Sequence, residues 1–291
     1  MRILRSLFVL LLAGLVALVG TPASAPAAPV PTLVAIHAAH HRGFDRVVFE
    51  FAGGLPSSRQ VRYVDQLIGE GSGLPVRVAG RAVLQVRFEP ADAHNARGAT
   101  APTRKAFALP NVMTAVSAGE FEAVTTYGIG LAKRTRFHVS TLRNPDRVVI
   151  DIRAAFSTVK RKVFFFNSRR FVANTEPFFT PRMRPVRPSA AAVGVLDRLF
   201  AGPVGRERAR GLRLLRSRAT GFEKLNIRNG IARVRLIGGC NSNGSTATIA
   251  GEIMPTLRQL ASVDWVKIYD PSGHTASPTG RSDSIPDCLN P

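Results

Sequence analysis

The stretch from residue 222 to residue 260 constrains the fold of this 291-residue chain more than any other. The dipeptide Asn229-Gly230 separates two β-rich runs, and Asn-Gly is the commonest two-residue hairpin loop because both positions tolerate a positive φ. After this turn, apolar residues alternate with arginine over 232–236, which indicates a half-buried strand. Apolar residues then recur at helical spacing, at Ile249, Ile253, Leu257 and Leu260. We therefore predict a hairpin followed by a helix that Ser245 caps and that Pro255 kinks or interrupts.

The sequence on either side extends this pattern to a βαββαβ order. A short apolar run at 163–166 precedes a helical repeat that begins near Ser189 and stops at Gly202-Pro203, and an alternating run at 265–270 follows the second helix. This order is typical of the split βαβ arrangement. Over residues 160–291 we therefore predict an α/β domain with one sheet and two helices packed on one face, and we interpret the proline-rich segment between 167 and 189 as a loop.

Residues 34–155 have an all-β pattern. Apolar residues recur at every second position at 47–51, 84–88, 136–139 and 148–152. Turn-forming pairs such as Gly53-Gly54 lie between these runs. Several short alternating strands with regular turns predict an all-β sandwich. The chain is thus predicted to be a two-domain protein, β in its first domain and α/β in its second.

The N-terminal residues 1–27 have the layout of a secretory signal peptide. Arg2 and Arg5 precede an uninterrupted apolar run at 7–19, and small residues follow at Ala23-Ser24-Ala25. A transmembrane anchor is the alternative, although the run is shorter than the ~20 residues that a span requires. Residues 28–33, rich in alanine and proline, are predicted to form a tether. We therefore expect an extracytoplasmic protein without a transmembrane span after cleavage, either released or associated with the cell wall.

Both cysteines, Cys240 and Cys288, lie in the C-terminal domain. In an oxidising compartment we expect them to form a disulfide that ties the C-terminal tail to the glycine turn after the hairpin. A pair of free thiols is the alternative if the protein stays in a reducing compartment. The pairing therefore depends on the predicted secretion.

The chain is strongly basic, with a formal net charge of +21 from 40 lysines and arginines against 19 acidic residues. Such a surface attracts polyanions over a long range, and for a secreted protein these are wall polymers and anionic lipid headgroups rather than nucleic acid. The predicted polyanion-binding residues are Arg161, Lys162, Arg169, Arg170, Arg182, Arg184 and Arg187. Only six of the 40 basic residues are lysine, so an arginine bias from a GC-rich genome is the alternative explanation.

Residue patterns with catalytic or metal-binding chemistry are few. The clustered histidines are His37, His40 and His41, and no cysteine, aspartate or glutamate follows them at ligand spacing before Asp45. A metal-assisted hydrolase that uses these histidines is therefore an alternative. We favour the interpretation that the histidines are solvated residues at the start of a strand. The sequence contains no G-x-S-x-G, H-E-x-x-H or P-loop motif. We therefore predict a protein that is not an enzyme, with no catalytic residue, no metal and no cofactor.

Two sets of motifs resemble known families. In residues 34–155 the motifs are HRGFDRVVFEF (41–51), RYVDQ (62–66), GEFEAVTTYGIGL (119–131) and NPDRVVIDI (144–152). With them this segment resembles the AMIN-like domain of secreted bacterial proteins. In residues 160–291 the motifs are VFFFN (163–167), LFAGP (199–203), GIARVRL (230–236) and IYDPSG (268–273). With them this segment resembles the GerMN domain, also called the sporulation and spore germination domain.

The two resemblances imply non-catalytic modules of the cell envelope. AMIN domains are β-sandwiches associated with targeting to the cell wall or septum, and GerMN domains are similar to ring-building modules of sporulation assemblies. The favoured function is therefore the binding of peptidoglycan or an anionic wall polymer. The alternative is an interaction module that joins another envelope or sporulation protein through the GerMN-like domain, by edge-strand pairing.

Overall fold

The computed structural model describes residues 29–291. The predicted signal peptide, residues 1–27, lies outside the described residues, and so does residue 28 of the predicted tether. The first strand begins at Thr32, inside the tether predicted for residues 28–33. Among residues 29–291, no helix is long and apolar enough to cross a membrane.

Thirteen strands make up the N-terminal domain of the described chain. They are β1 (Thr32–His41), β2 (Phe44–Ala52), β3 (Ser58–Val64), β4 (Leu67–Ile68), β5 (Pro75–Val76), β6 (Ala82–Glu89), β7 (His94–Asn95), β8 (Gly98–Ala99), β9 (Arg104–Ala106), β10 (Val112–Phe121), β11 (Val124–Leu131), β12 (Phe137–Leu142) and β13 (Asp146–Arg153). The larger strands form two antiparallel sheets, ordered β1-β2-β13-β12 and β3-β6-β11-β10-β9. The two sheets enclose one apolar core. The prediction of a β-rich N-terminal domain is confirmed.

Alternation along the strands builds this core. In β2 the side chains of Val47, Phe49 and Phe51 are buried, and the residues between them are only half-buried. Phe49 packs edge-on against Phe88 of β6 and Tyr127 of β11, with ring centroids 5.1 and 5.8 Å away. Aromatic side chains of this size supply much of the apolar area that a core buries. The period of two in the sequence therefore decides which face of each sheet points inward.

The C-terminal domain contains six strands and four α-helices within the described residues. They are β14 (Val159–Asn167), α1 (Ser168–Val172), β15 (Phe179–Val186), α2 (Ala191–Ala201), α3 (Gly205–Ala209), β16 (Leu212–Arg213), β17 (Gly221–Arg228), β18 (Ile231–Ile237), α4 (Ala250–Arg258) and β19 (Trp265–Tyr269). The 3₁₀ turn Pro188–Ala190 precedes α2, and a second one, Asp287–Leu289, lies near the C-terminus. The strands form two three-stranded sheets, β15-β14-β16 and β17-β18-β19. Both sheets share one apolar core with α2 and α4.

The predicted hairpin is confirmed. Strands β17 and β18 pair antiparallel around Asn229 and Gly230, whose φ angles are +52° and +76°. Positive φ at both positions is what a type I′ turn requires. The carbonyl of Gly230 also accepts the N–H groups of Asp264 and Trp265, at 2.7 and 3.0 Å. The turn therefore fixes the start of β19, which pairs parallel with β18.

The second predicted helix starts later than the sequence suggests. Helix α4 begins five residues after Ser245, which does not cap it. The Oγ atom of Ser245 instead accepts the N–H of Ala247 at 3.2 Å, in a local turn. The hydroxyl at the start of the helix belongs to Ser217, which accepts the N–H of Ile249 at 3.1 Å. The helix also continues through Pro255, so the predicted interruption is wrong.

The proline-rich segment between 167 and 189 is not the loop that we predicted. It forms α1 and then β15, which pairs antiparallel with β14. Pro181 lies opposite Phe164, whose N–H points away from β15 and toward α4. Residues at such a pair do not exchange hydrogen bonds, so the proline nitrogen faces the outer edge of β15, where it needs no donor. Pro185 lies an even number of residues further along β15, so its nitrogen faces the same outer edge. The prolines here mark an edge strand.

The sheets β15-β14-β16 and β17-β18-β19 stay separate because α4 lies along the edge of β14 that faces away from β15. Three side chains from one face of α4 and its C-cap accept backbone N–H groups that a neighbouring strand would otherwise use. The pairs are Glu252 with Phe166 at 2.9 Å, Thr256 with Phe164 at 3.0 Å and Gln259 with Lys162 at 2.7 Å. The single sheet predicted for this domain therefore does not form, because β14 has no free edge for the hairpin.

The predicted disulfide joins Cys240 and Cys288. Beside the bridge, the carbonyl of Cys288 accepts the N–H of Ser242 at 2.7 Å. Upstream of the bridge, Ser284 pairs with Lys267 of β19. The C-terminal tail therefore covers the outer edge of β19 and is tied back to the end of the hairpin.

Candidate functional site

A buried polar cluster lies where the two domains meet. On the N-terminal side, Asp45 of β2 is fully buried, and its Oδ2 accepts the N–H groups of Asn111 and Val112 at 2.6 and 2.8 Å. Its Oδ1 lies 2.7 Å from Nδ1 of His40. Buried carboxylates need such donors, because an unpaired charge in the interior is strongly destabilising. Asp45 therefore holds the backbone of residues 111 and 112, at the end of the segment 107–112.

Arg198 of α2 inserts into this segment. The residue is 1% exposed, and its guanidinium donates to four backbone carbonyls of the N-terminal domain. They belong to Phe107, Leu109, Pro110 and Val112, at 3.3, 2.5, 3.0 and 3.4 Å. Burial, together with the nearby charge of Arg184, lowers the pKa of Arg198 to about 9. The carbonyl oxygens replace the water that this charge loses on burial.

The preceding residue of α2 makes a second contact between the domains. Asp197 accepts two hydrogen bonds from the guanidinium of Arg81, at 2.8 and 2.6 Å. Burial raises the pKa of Asp197, while the hydrogen bonds and charge of Arg81 act in the opposite direction. Bidentate arginine–carboxylate pairs fix orientation as well as distance. Asp197 and Arg198 therefore hold the surfaces of the two domains in one arrangement.

A basic cleft of about 660 Å³ opens at the start of β14. Lys160, Arg161 and Lys162 line it, together with residues 259–262, which follow α4. Gln259 accepts the N–H of Lys162 and donates to the carbonyl of the same residue. The side chains of Lys160 and Lys162 are exposed. The cleft therefore presents several cations on a backbone that is held on both sides. We call it the basic cleft.

The seven predicted polyanion-binding residues do not form one surface. Arg161 and Lys162 line the basic cleft, at the start of β14. Two more lie on α1, beyond the other end of the strand, and two are half-buried near β15. These four are Arg169, Arg170, Arg182 and Arg187. Arg161 with Lys162 and Arg169 with Arg170 therefore lie on two separate basic surfaces, at opposite ends of β14.

Arg184 is a core residue, so its assignment to a binding surface is wrong. It is 2% exposed and pairs with Glu207 of α3 through both terminal guanidinium nitrogens. Its guanidinium carbon lies 5.3 Å from the centroid of the Phe165 ring. The side chain lies on the face of β15 that points toward the core, which a count of charges cannot reveal. An external polyanion does not reach it.

A second cleft, of about 570 Å³, lies on the N-terminal domain. Tyr63 of β3 and Phe137 of β12 form an edge-to-face pair with ring centroids 5.7 Å apart. The guanidinium of Arg134 lies 4.5 Å from the centroid of the Tyr63 ring, and Arg136 adds a second cation. Aromatic rings beside arginines suit sugar rings that carry anionic groups. Sequence reasoning missed this cleft because its residues come from different sheets.

The clustered histidines do not form a ligand set in the part of the chain that the structure describes. His40 pairs with Asp45, and His41 stacks on Phe44 with ring centroids 5.0 Å apart. His37 is exposed on β1. His40 and His41 therefore have local partners, and the metal-assisted hydrolase stays an untested alternative.

One group of potential metal ligands occurs among residues 29–291. It contains Asp92, His94 and Glu120, whose ligand atoms lie within 4.8 Å of one another. His94 pairs directly with Glu120, and Glu120 also accepts the N–H of Ala93 at 2.5 Å. No sequence pattern marks this group, because His94 is isolated along the chain.

The N-terminal domain matches a known family. The family model of the AMIN-like domain matches residues 31–154, close to the predicted 34–155, so this resemblance is confirmed. AMIN-like domains are extracytoplasmic, and the match indicates a module that is related to the cell envelope and associated with peptidoglycan. No curated protein and no solved structure matches the chain. The resemblance of residues 160–291 to the GerMN domain stays a prediction.

Proposed function

We propose that this chain is a secreted, non-catalytic protein of the bacterial cell envelope that binds peptidoglycan or an anionic wall polymer. The AMIN-like domain supports an extracytoplasmic location and an association with peptidoglycan. The disulfide between Cys240 and Cys288 fits an oxidising compartment. In this proposal the GerMN-like domain is the second module and supplies the cations.

The basic cleft is the observation that carries the proposal. Successive residues of a strand advance by ~3.3 Å, so Lys160 and Lys162 are ~7 Å apart along β14 and extend from the same face. Anionic wall polymers repeat phosphate or carboxylate groups along a flexible chain, and two such groups can be bound at once. The net charge of +21 adds a long-range attraction that brings the polymer to the cleft.

Charge reversal at the cleft tests the proposal. The variant Lys160→Glu/Lys162→Glu is expected to bind purified wall sacculi at least about ten-fold more weakly than the parent, because attraction becomes repulsion. The measurement is co-sedimentation with sacculi that retain or lack their anionic polymers. The control is Arg42→Glu/Arg97→Glu, which changes the charge equally at exposed positions of the N-terminal domain.

The dependence of binding on salt concentration distinguishes an anionic wall polymer from the peptidoglycan glycan as the ligand. Binding to an anionic polymer should disappear between about 0.01 and about 1 M salt, as the Debye length falls from ~30 to ~3 Å. Binding that survives high salt and polymer removal would assign the ligand to the glycan and to the cleft that contains Tyr63 and Phe137. Equal binding of the parent and the Lys160→Glu/Lys162→Glu variant would refute the role of the basic cleft.

An interaction module is the second candidate, and the edges of the sheets favour it. The outer edge of β15 lacks donors at Pro181 and Pro185, and the C-terminal tail covers β19. Strand β17, by contrast, pairs only with β18 among the described residues. An unpaired edge of this kind can accept a strand from another protein. A partner crosslinked through residues 223–228 of β17 would support assembly, and a strictly monomeric chain without crosslinked partners would count against it.

A further inference from the structure

The second basic surface lies around α1 and combines arginines with the most exposed large apolar side chain of the described residues. Residues 168–178, which we call the α1 tip, connect β14 to β15 and are mostly exposed. Val172 is 86% exposed, more than any other large apolar side chain of the described residues, and the adjacent Phe171 is 39% exposed. The tip lies six residues beyond Lys162, or ~20 Å along the strand, so it is separate from the basic cleft.

The exposure does not come from a loose loop. The side chain of Asn167 accepts the N–H of Arg170 at 3.2 Å and caps α1. The guanidinium of Arg170 donates to the carbonyls of Thr175 and Glu176, which closes the turn after the helix. The end of β14, helix α1 and the turn at 175–176 are thus tied together. Its apolar side chains are held outward by a defined structure.

Aromatic packing supports the tip from below. The ring of Phe171 lies 5.2 Å from that of Phe166 and 5.3 Å from that of Phe178, measured between centroids. Phe166 in turn lies 6.0 Å from Phe179. The inner side of Phe171 therefore continues the aromatic packing of the domain, while its outer side and Val172 face solvent.

Arginines lie beside this apolar tip. Arg169 donates to the carbonyl of Ala209 at 2.8 Å, and Ser168 donates to the carbonyl of Gly211 at 3.0 Å. These contacts bring the segment 206–213 next to α1. The segment carries four exposed arginines, Arg206, Arg208, Arg210 and Arg213. Its one acidic residue, Glu207, is buried against Arg184, so it does not neutralise the surface.

We propose that the α1 tip docks on an anionic lipid bilayer, with Phe171 and Val172 entering the headgroup region and the arginines of 206–213 binding lipid phosphates. A wall polymer is hydrated throughout and offers no apolar phase, so contact with it does not favour the exposure of Val172. A bilayer satisfies both parts of the surface, because apolar side chains partition into the boundary with the acyl chains while cations stay at the phosphates. Each arginine near an anionic membrane adds to the attraction.

Vesicle flotation tests this inference. The protein should consist of residues 29–291, because the apolar run at 7–19 would itself bind lipid. It is expected to float with vesicles that contain phosphatidylglycerol and not with vesicles of phosphatidylcholine alone. The variant Val172→Ser is expected to bind about ten-fold more weakly, because one apolar side chain no longer leaves water. Phe171 is left intact because it also packs on Phe166.

Two controls match these variants. Leu74→Ser removes a side chain that is 66% exposed on the N-terminal domain, and its binding to vesicles should equal that of the parent. Arg208→Gln/Arg210→Gln should lose about ten-fold or more of the binding, whereas Arg42→Gln/Arg97→Gln should lose much less. In a Val172→Trp variant, brominated lipids should quench the tryptophan emission more strongly than in the parent, whose one tryptophan is Trp265, and this extra quenching reports insertion rather than surface attraction.

Three results would overturn the inference. One is the absence of flotation with anionic vesicles. Another is equal binding of the parent and Val172→Ser, which would leave charge alone as the cause. The third is binding of the tip to wall polymer, measured as loss of sacculus binding in Arg208→Gln/Arg210→Gln, with no binding to vesicles. Failure of the wall-binding proposal would not affect the vesicle result, since the two surfaces share no residue.

Discussion

Replacement of Arg198 by methionine should lower the free energy of unfolding by about 3 kcal/mol or more, because hydrogen bonds from a charged donor contribute about 1.5–3 kcal/mol each and four carbonyls share this donor. Methionine fills much of the space but donates no hydrogen bond. The four carbonyl groups of the segment 107–112 that face Arg198 would lose their donor, and each unsatisfied buried group is destabilising by about 1–3 kcal/mol before relaxation. Denaturant unfolding followed by circular dichroism measures this change.

The same variant should also change how the two domains unfold. In the parent, Arg198 and the Arg81–Asp197 pair join the domains, so we expect one cooperative transition. Without Arg198 the AMIN-like domain and the C-terminal domain should separate into two transitions. Arg42→Met is the control, because Arg42 is exposed and its loss should change stability by less than about 0.5 kcal/mol. Unchanged stability in Arg198→Met would show that water replaces the guanidinium and that the contact does not hold the domains together.

The elements that the sequence predicts well are those with a local physical signal. The Asn229-Gly230 turn requires positive φ at two adjacent residues, and few dipeptides allow it. The alternation in β2 follows from one buried face. The disulfide could be predicted because the chain contains only two cysteines. In each case the residue type itself carries the information, so the position in the sequence is enough.

The elements that the sequence does not predict depend on partners far along the chain. In the sequence alone, Pro181 and Pro185 indicate a loop. The contacts of β14 with β15 and α4 show instead that both prolines lie on an outer edge where no donor is needed. In the sequence, Arg184 is one of a run of basic residues that suggests a binding surface. Its contact with Glu207, 23 residues later, shows that it forms a buried ion pair. Arg198 binds backbone carbonyls, which every residue has, so no residue type marks its binding site. The sequence likewise does not show that the basic cleft and the α1 tip are two different surfaces, because their separation depends on contacts between distant segments.

Replacement of Glu252 by glutamine should lower the free energy of unfolding by about 2–3 kcal/mol near pH 5. Glu252 is fully buried, and its two oxygens accept the N–H groups of Phe166 and Leu215, both at 2.9 Å. Glutamine has nearly the same shape, but its NH₂ group would face one of these N–H donors, and a buried donor without an acceptor is destabilising by about 1–3 kcal/mol. Thr256→Val is the matched control, since it removes a single acceptor from β14 and should lower stability by about 1–2 kcal/mol.

The pH dependence distinguishes loss of a hydrogen bond from loss of a titrating group. Burial raises the pKa of Glu252 well above its ordinary value, although the two N–H donors and the charge of Arg216 act in the opposite direction. The folded protein therefore binds a proton more tightly at this group than the unfolded chain does. The stability that this proton contributes is complete below the unfolded pKa of about 4.3 and is lost as the pH rises through the folded value. Glu252→Gln cannot titrate, so the difference in unfolding free energy between the parent and this variant should shrink from pH 4 to pH 8. A difference that stays constant, or that grows with pH, would mean that Glu252 is a carboxylate in the folded protein and that α4 holds the edge of β14 with a charge.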